Sequence, residues 1–313
     1  MESPIYVEGL RRSFGDLEAV VGIDLAVPEG EIYGFLGPNG AGKSTAVRIL
    51  TTLLKPSGGR AVVAGYDVAT EAAHVRRNIG VALQDAAIDP LMTGHELIRL
   101  QATLHGLNRK AATERGGELL ERVGLTDAAG RRVGTYSGGM RRRLDLALSL
   151  IHEPRVLFLD EPTTGLDPSS RMNLWEEVRR LNAEGTTVFL TTQYLEEADE
   201  LAHRVGIIDN GVIVRQGSPA ALKADVGSPT LRVDVDDTHL ESATAVLGRF
   251  GESRPARQGR VAIGLDNGAS RLADVVRALD DQGITVLHME LDAPSLDDVF
   301  AQATGRRLEG DTA

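Results

Sequence analysis

The sequence contains no cysteine. Disulfides, thiol nucleophiles and Cys-ligated zinc are therefore excluded, and the composition fits a reducing compartment. Aromatic residues are scarce, at 4% of 313 residues, so stacking platforms for single-stranded nucleic acid are not expected. Positive charge is in deficit: 34 Lys and Arg face 45 Asp and Glu, a formal net charge of −11. A duplex-DNA binder normally shows a basic face, so no nucleic-acid partner is expected. No stretch reaches the ~18 consecutive apolar residues of a membrane helix. Met1-Glu2-Ser3-Pro4 lacks a basic segment followed by an apolar run, so no signal peptide is expected. Work at a membrane would require another chain to supply the span.

What is present is ordinary globular material, with 42% hydrophobic and 25% charged residues. The length suits two folding units. Short apolar runs at 31–36, 60–64, 79–83, 155–160, 186–191 and 204–209 predict strands, and helical segments lie between several of them. Such alternation predicts a mostly parallel sheet covered by helices, an α/β fold. Residues 93–124 carry leucines at 97, 100, 104, 119 and 120 and no strand-like run, which predicts a helical insert. Asn210-Gly211 between apolar runs predicts a hairpin turn. Gly227-Ser228-Pro229 marks a linker. Beyond it, strands at 230–235, 260–265 and 284–291 and helices at 238–250, 270–282 and 295–304 predict a small C-terminal α/β domain. The expected domains are 1–226, with a helical subdomain at about 86–152, and 229–313.

Gly37-Pro38-Asn39-Gly40-Ala41-Gly42-Lys43-Ser44 fits G-x-x-x-x-G-K-[ST], and Thr45 extends it. The glycines let the backbone curl so that successive N–H groups point at phosphate oxygens, and the following helix adds its positive end. Lys43 is expected to reach the β- and γ-phosphates, and the Ser44 hydroxyl to hold Mg²⁺. A helix from about Lys43 to Leu54 should follow. Val156-Leu157-Phe158-Leu159-Asp160-Glu161 is an apolar strand ending in two carboxylates. Asp160 is expected to bind Mg²⁺ through water, and Glu161 to orient and deprotonate the attacking water. A chance glycine turn, or solvated acids at a strand end, would explain either motif alone. Together they point to hydrolysis of Mg-ATP.

Between them, Tyr136-Ser137-Gly138-Gly139-Met140 opens a helix with Leu144, Ala147, Leu148 and Ile151 on one face. Here the chain resembles the ATP-binding subunits of ABC transporters, whose signature is Leu-Ser-Gly-Gly-Gln. Tyr136 and Met140 depart from it. The fold implied is a P-loop NTPase cassette with a helical insert. The resemblance implies that Ser137, Gly138 and Gly139 grip the γ-phosphate of ATP bound to a partner subunit. It also implies that Gln84 is the Q-loop glutamine sensing Mg²⁺ and the attacking water, and that Gly165-Leu166-Asp167 is the D-loop. Phe14 stands where the family stacks an aromatic on adenine; a core phenylalanine is the alternative, and stacking would accept ATP or GTP. Arg141, Arg142 and Arg143 are expected on a solvated helix face or at a subunit contact.

One departure is informative. Where the family usually has a histidine touching the γ-phosphate, this chain has Gln193, within Thr191-Thr192-Gln193-Tyr194. Daunorubicin-resistance-type exporters carry the same Thr-Thr-Gln-Tyr-Leu-Glu-Glu-Ala-Asp run. Pro294-Ser295-Leu296-Asp297-Asp298-Val299-Phe300 resembles their tail motif. Leu296, Val299, Phe300 and Ala303 form a helical apolar stripe, read as core packing or as a docking face. The resemblance implies an ATPase that powers export of hydrophobic drugs or antibiotics. It would form a homodimer on ATP binding, at the cytoplasmic face of the cell membrane, with a membrane-spanning permease in a separate chain. A soluble ABC ATPase acting on ribosomes or DNA, or an importer subunit, is the alternative.

Overall fold

The computed structural model describes residues 3–306 except 84–87, 255–258 and 267. The chain divides into two compact units after Pro219. The first unit opens with a hairpin, β1 (Ile5–Phe14) and β2 (Leu17–Val27), followed by β3 (Ile32–Leu36) and α1 (Lys43–Leu50). Next come β4 (Gly58–Val63), β5 (Tyr66–Asp67), α2 (Ala72–Asn78) and β6 (Ile79–Ala82). Three helices follow: α3 (Gly94–Leu104), α4 (Arg109–Arg122) and α5 (Gly138–Ser149). The unit continues with β7 (Val156–Asp160), α6 (Pro168–Ala183), β8 (Thr187–Thr192), α7 (Leu195–Leu201), β9 (Arg204–Asp209) and β10 (Val212–Gly217).

Six strands form the main sheet in the order β10-β9-β3-β8-β7-β6. The ladders joining β9, β3, β8, β7 and β6 are parallel, and β10 is an antiparallel edge strand, turned by Asn210-Gly211 as expected. β3, β7 and β8 are buried on both faces, which is why their sequences read as continuous apolar runs. Phe158 and Phe189 sit 5.6 Å apart between ring centroids on neighbouring strands, and Phe189 stacks on Tyr33 at 5.4 Å.

The parallel sheet was the expectation; a second sheet beside it was not. β2-β1-β4-β5 is antiparallel, so the run at 60–64 belongs here and not to the parallel sheet. β1 and β2 alternate buried and exposed residues along much of their length, a weaker apolar signal than the central runs. Helix α1 stops at Leu50 instead of Leu54, with Thr52 already left-handed at φ 65. The helical insert begins with a capping box, Thr93 and Glu96. Its Leu97, Leu119 and Leu120 are buried, whereas Leu100 and Leu104 are exposed by 46% and 72%.

Helix α8 (Pro219–Val226) leads into the second unit, which contains β11 (Thr230–Val235), α9 (Leu240–Leu247), β12 (Gly251–Arg254) and β13 (Arg260–Leu265). α10 (Leu272–Asp280), β14 (Val286–Asp292) and α11 (Leu296–Thr304) complete it. Its sheet, β12-β13-β11-β14, is antiparallel throughout and has its own core around Leu231, Val246, Ile263, Val275 and Leu279. In α11 Leu296, Val299 and Phe300 are buried and Ala303 is half-buried, which favours core packing over an exposed docking face.

Candidate nucleotide-binding site

The carboxyl ends of β3, β7 and β8 meet at one point, because β8 lies between the other two. Open α/β sheets bind ligands at such ends. The loop after β3 starts with Gly37, whose N–H donates to Thr192 O at 3.2 Å at the end of β8. Gly37 and Gly42 cannot carry a side chain: a Cβ would meet Ile208 O or Ala19 O at 2.3 Å. Gly42 also has φ 103, and α1 starts at the next residue. Thus the glycines of the motif are needed for close approach of backbone as well as for the curl. Ala41, Lys43, Ala46 and Val47 are buried, while Asn39 and Gly40 are exposed; Pro38, Ser44 and Thr45 are partly exposed.

Lys43 Nζ donates to Gly37 O at 2.7 Å and Pro38 O at 3.1 Å, and lies 3.3 Å from Glu161 Oε1. Burial pushes the Lys43 ammonium below its usual pKa, and the Glu161 and Asp160 carboxylates oppose that shift. Ser44 Oγ donates to Asp160 Oδ1 at 3.2 Å. Lys43, Asp160 and Glu161 are all buried, at 4%, 3% and 6% exposure, so charge in this cluster is poorly screened.

Glu161 adopts φ 47, a left-handed conformation that costs a non-glycine residue about 1–2 kcal/mol. Its N–H donates to Thr191 O at 3.1 Å and to Thr191 Oγ1 at 3.0 Å, which holds the turn. Thr191 Oγ1 also donates to Asp160 Oδ1, and Thr164 Oγ1 donates to Glu161 Oε2 at 3.3 Å. Thr191 and Thr164 were not singled out in the sequence. The only signal for Thr191 is its place two residues before Gln193.

Gln193 follows β8 directly and is half-buried next to Thr192, the partner of Gly37. Thr192 Oγ1 accepts from the Tyr194 N–H at 2.9 Å and fixes the bend there. Gln84 lies outside the described residues. Phe14 is 46% exposed at the end of β1 with the Arg12 guanidinium 4.5 Å from its ring centroid, so the core alternative falls. Its hairpin reaches the phosphate loop, because the Ala19 carbonyl abuts Gly42.

Ser137 caps α5, accepting from the Met140 N–H at 3.2 Å, and is exposed together with Gly138. Gly139 abuts Ser170, where a Cβ would stand 2.9 Å from its hydroxyl. Ser170 in turn donates to Asp167 at 2.6 Å. Asp167 caps α6, and these hydrogen bonds hold its carboxyl below the usual range. The contacts of Gly139 and Asp167 therefore run to each other through Ser170. Tyr136, where the family has leucine, is buried and donates to Ala128 O at 2.7 Å.

The expectation for the arginine run needs correcting. Arg141 is exposed, but Arg142 and Arg143 turn inward and donate to main-chain carbonyls. Arg143 donates to Val123 O at 2.7 Å. Arg142 donates to the carbonyls of Leu83, Asp160 and Pro162.

Comparison with known proteins fits this geometry. The ABC transporter family matches residues 20–164, and the family described as ATP-binding protein DrrA1-3-like, C-terminal domain, matches residues 217–304. The daunorubicin resistance ATP-binding protein DrrA2 of Streptomyces coeruleorubidus is 48% identical over 99% of this chain and 97% of its own length. The daunorubicin/doxorubicin resistance ATP-binding protein DrrA of Streptomyces peucetius is 44% identical over 96% of this chain and 92% of its own. A dimeric bacterial ABC transporter cassette superposes with a TM-score of 0.64 at 25% identity, covering 68% of this chain and 98% of that one. The chain thus belongs to the ABC transporter ATP-binding proteins of the DrrA type, a family of P-loop ATPases.

Proposed function

We propose that this chain is the ATPase subunit of an exporter of hydrophobic drugs or antibiotics, bound peripherally at the cytoplasmic face of a membrane to a separate permease. The observation that carries the reading is the near-full-length likeness to daunorubicin and doxorubicin resistance ATP-binding proteins, joined to the buried Lys43, Asp160 and Glu161 with Ser44 beside them. No helix among the described residues is long and apolar enough to cross a membrane, so the span would come from the partner. Leu100 and Leu104 on α3 offer that partner an apolar face.

In this reading the N–H groups of Gly37 to Thr45 cradle the phosphates, and Lys43 reaches the β- and γ-phosphates. Phe14 stacks on the base. A hydroxyl and a carboxylate 3.2 Å apart are hard oxygen donors that suit Mg²⁺. Ser44 and Asp160 would hold it, and the family resemblance gives Gln84 a part in sensing it; Mg²⁺ would supply neutralisation of the developing phosphate charge. Glu161 takes the proton of the attacking water, and Gln193 donates a hydrogen bond to the γ-phosphate. Ser137, Gly138, Gly139 and Asp167 complete the site of a second copy. Two copies enclose two ATP molecules, and opening after hydrolysis moves the permease. The small C-terminal α/β domain, proposed at 229–313, lies beyond every phosphate motif.

Glu161→Gln tests the catalytic reading. It should bind ATP, stop turning over and accumulate as an ATP-loaded dimer on a sizing column. Near-normal turnover would assign the base elsewhere. In cells that co-express the chain with its membrane-spanning partner, identified by pull-down from membranes, accumulation of daunorubicin should fall, and Glu161→Gln should abolish the effect. Unchanged accumulation would overturn the export reading.

A further inference from the structure

Arg142 stands in the first turns of α5, past the Ser137 cap. Its side chain is only 11% exposed, and its guanidinium donates to three main-chain carbonyls. Nε reaches Pro162 O at 2.9 Å, Nη2 reaches Asp160 O at 2.7 Å and Nη1 reaches Leu83 O at 2.5 Å. The Asp145 carboxylate lies 3.7 Å from Nη1.

The choice of carbonyls is informative. Asp160 and Pro162 flank Glu161 on either side in the chain, so two of the three bonds bracket the residue in the left-handed turn. The third reaches the residue just past β6. Thr191 holds the Glu161 N–H from β8, so the turn is gripped from α5 on one side and from the sheet on the other. Burial works against the Arg142 charge, and Asp145 and Asp160 offset it. Packing alone would be served as well by an apolar residue, since a buried charge brings a desolvation cost. A planar guanidinium places donors on three separate nitrogens and so spans three carbonyls that a single ammonium nitrogen would have to reach from one point.

We propose that Arg142 is the positioning residue for Glu161, tying the main chain around that carboxylate to helix α5. This rests on the reading of Glu161 as the base. The same helix opens with Ser137, Gly138 and Gly139, so the α5 orientation sets both the signature and the Glu161 turn.

The test uses the full chain with Arg142→Met, Arg142→Lys and a control, Arg143→Met, each in the wild-type and Glu161→Gln backgrounds. Arg143 donates to Val123 O and Gly124 O, away from the cluster. Arg142→Met should lower kcat on the order of 10- to 100-fold, as expected for a misplaced catalytic group, with KM changed less than about threefold. Arg142→Lys should recover part of that loss, because an ammonium can still bond one or two of the carbonyls. Arg143→Met should stay near wild type. In the Glu161→Gln background, Arg142→Met should lower the residual rate no further, since the two residues act as one unit.

The proposal is overturned if Arg142→Met turns over like wild type, if its effect multiplies with that of Glu161→Gln, or if Arg143→Met falls as far. Should Arg142→Met fail to fold, Arg142→Lys decides: native melting with reduced kcat supports the proposal, and wild-type kcat overturns it. Near-normal turnover of Glu161→Gln alone would instead refute the base reading, and that result is independent of Arg142.

Discussion

Replacing Lys43 with alanine separates stability from binding at one residue. The ion pair with Glu161 spans 3.3 Å, and its two side chains are 4% and 5% exposed. Removing one partner of a buried pair costs about 3–5 kcal/mol, because the other charge is left unpaired. The ammonium also donates to Gly37 O and Pro38 O. Its own desolvation, visible in its lowered pKa, offsets part of the loss. A net destabilisation of roughly 3 kcal/mol is expected, which corresponds to about 6–12 °C in the melting of a unit of this size. Glu161→Gln alone should cost less, since the amide oxygen still accepts from Lys43. The double variant should recover much of the Lys43→Ala loss, because neither charge is then left buried alone. ATP binding behaves differently. A lost charge-assisted hydrogen bond of about 1.5–3 kcal/mol weakens affinity at least tenfold, and Glu161→Gln cannot restore it. Thermal melts and isothermal titration of the single and double variants read the two effects apart. Wild-type melting of Lys43→Ala would refute the buried pair, and wild-type ATP affinity would refute the phosphate-site reading.

Gln193→Ala should lower turnover roughly ten- to a hundred-fold if the amide bond to phosphate, about 1.5–3 kcal/mol, strengthens in the transition state. Gln193→His should retain substantial activity. The wild-type and Gln193→His rates across pH 5.5–9 should share their main limb, whereas a histidine acting as base would add a step near its ordinary pKa of ~6.5. Wild-type turnover in Gln193→Ala would make the residue a bystander. Ser137→Arg should act in trans: hydrolysis falls while the monomer still binds ATP, and joint loss of both would remove the support for a shared site. Burial raises the Asp145 carboxyl to about 7, with Arg142 opposing. The folded state then holds a proton that the unfolded state releases near 3.9, so this stability is full below that value and lost as pH rises through about 7. Asp145→Asn should therefore gain on wild type by about 2–3 kcal/mol between pH 5 and 7, read as a widening difference in melting temperature. A pH-independent difference would place Asp145 in its ordinary range.

Local chemistry was legible in the chain because it is written locally. Gly37 to Thr45 must curl, Asp160 and Glu161 must end an apolar strand, and Ser137 must cap a helix; each needs only its neighbours. The central strands were visible because burial on both faces leaves uninterrupted apolar runs. The β1–β2 hairpin was not, because alternating exposure dilutes that signal and pairing is settled by partners far along the chain. The site itself needed tertiary structure. Only the order β3-β8-β7 brings Lys43 to Glu161 and Thr191 to Asp160. Only packing of α5 turns Arg142 from an expected solvated face onto the carbonyls beside Glu161. Residue type and spacing determined which chemistry this protein could perform. The sheet order, by joining residues more than 100 positions apart, such as Ser44 and Asp160, decided where that chemistry is assembled.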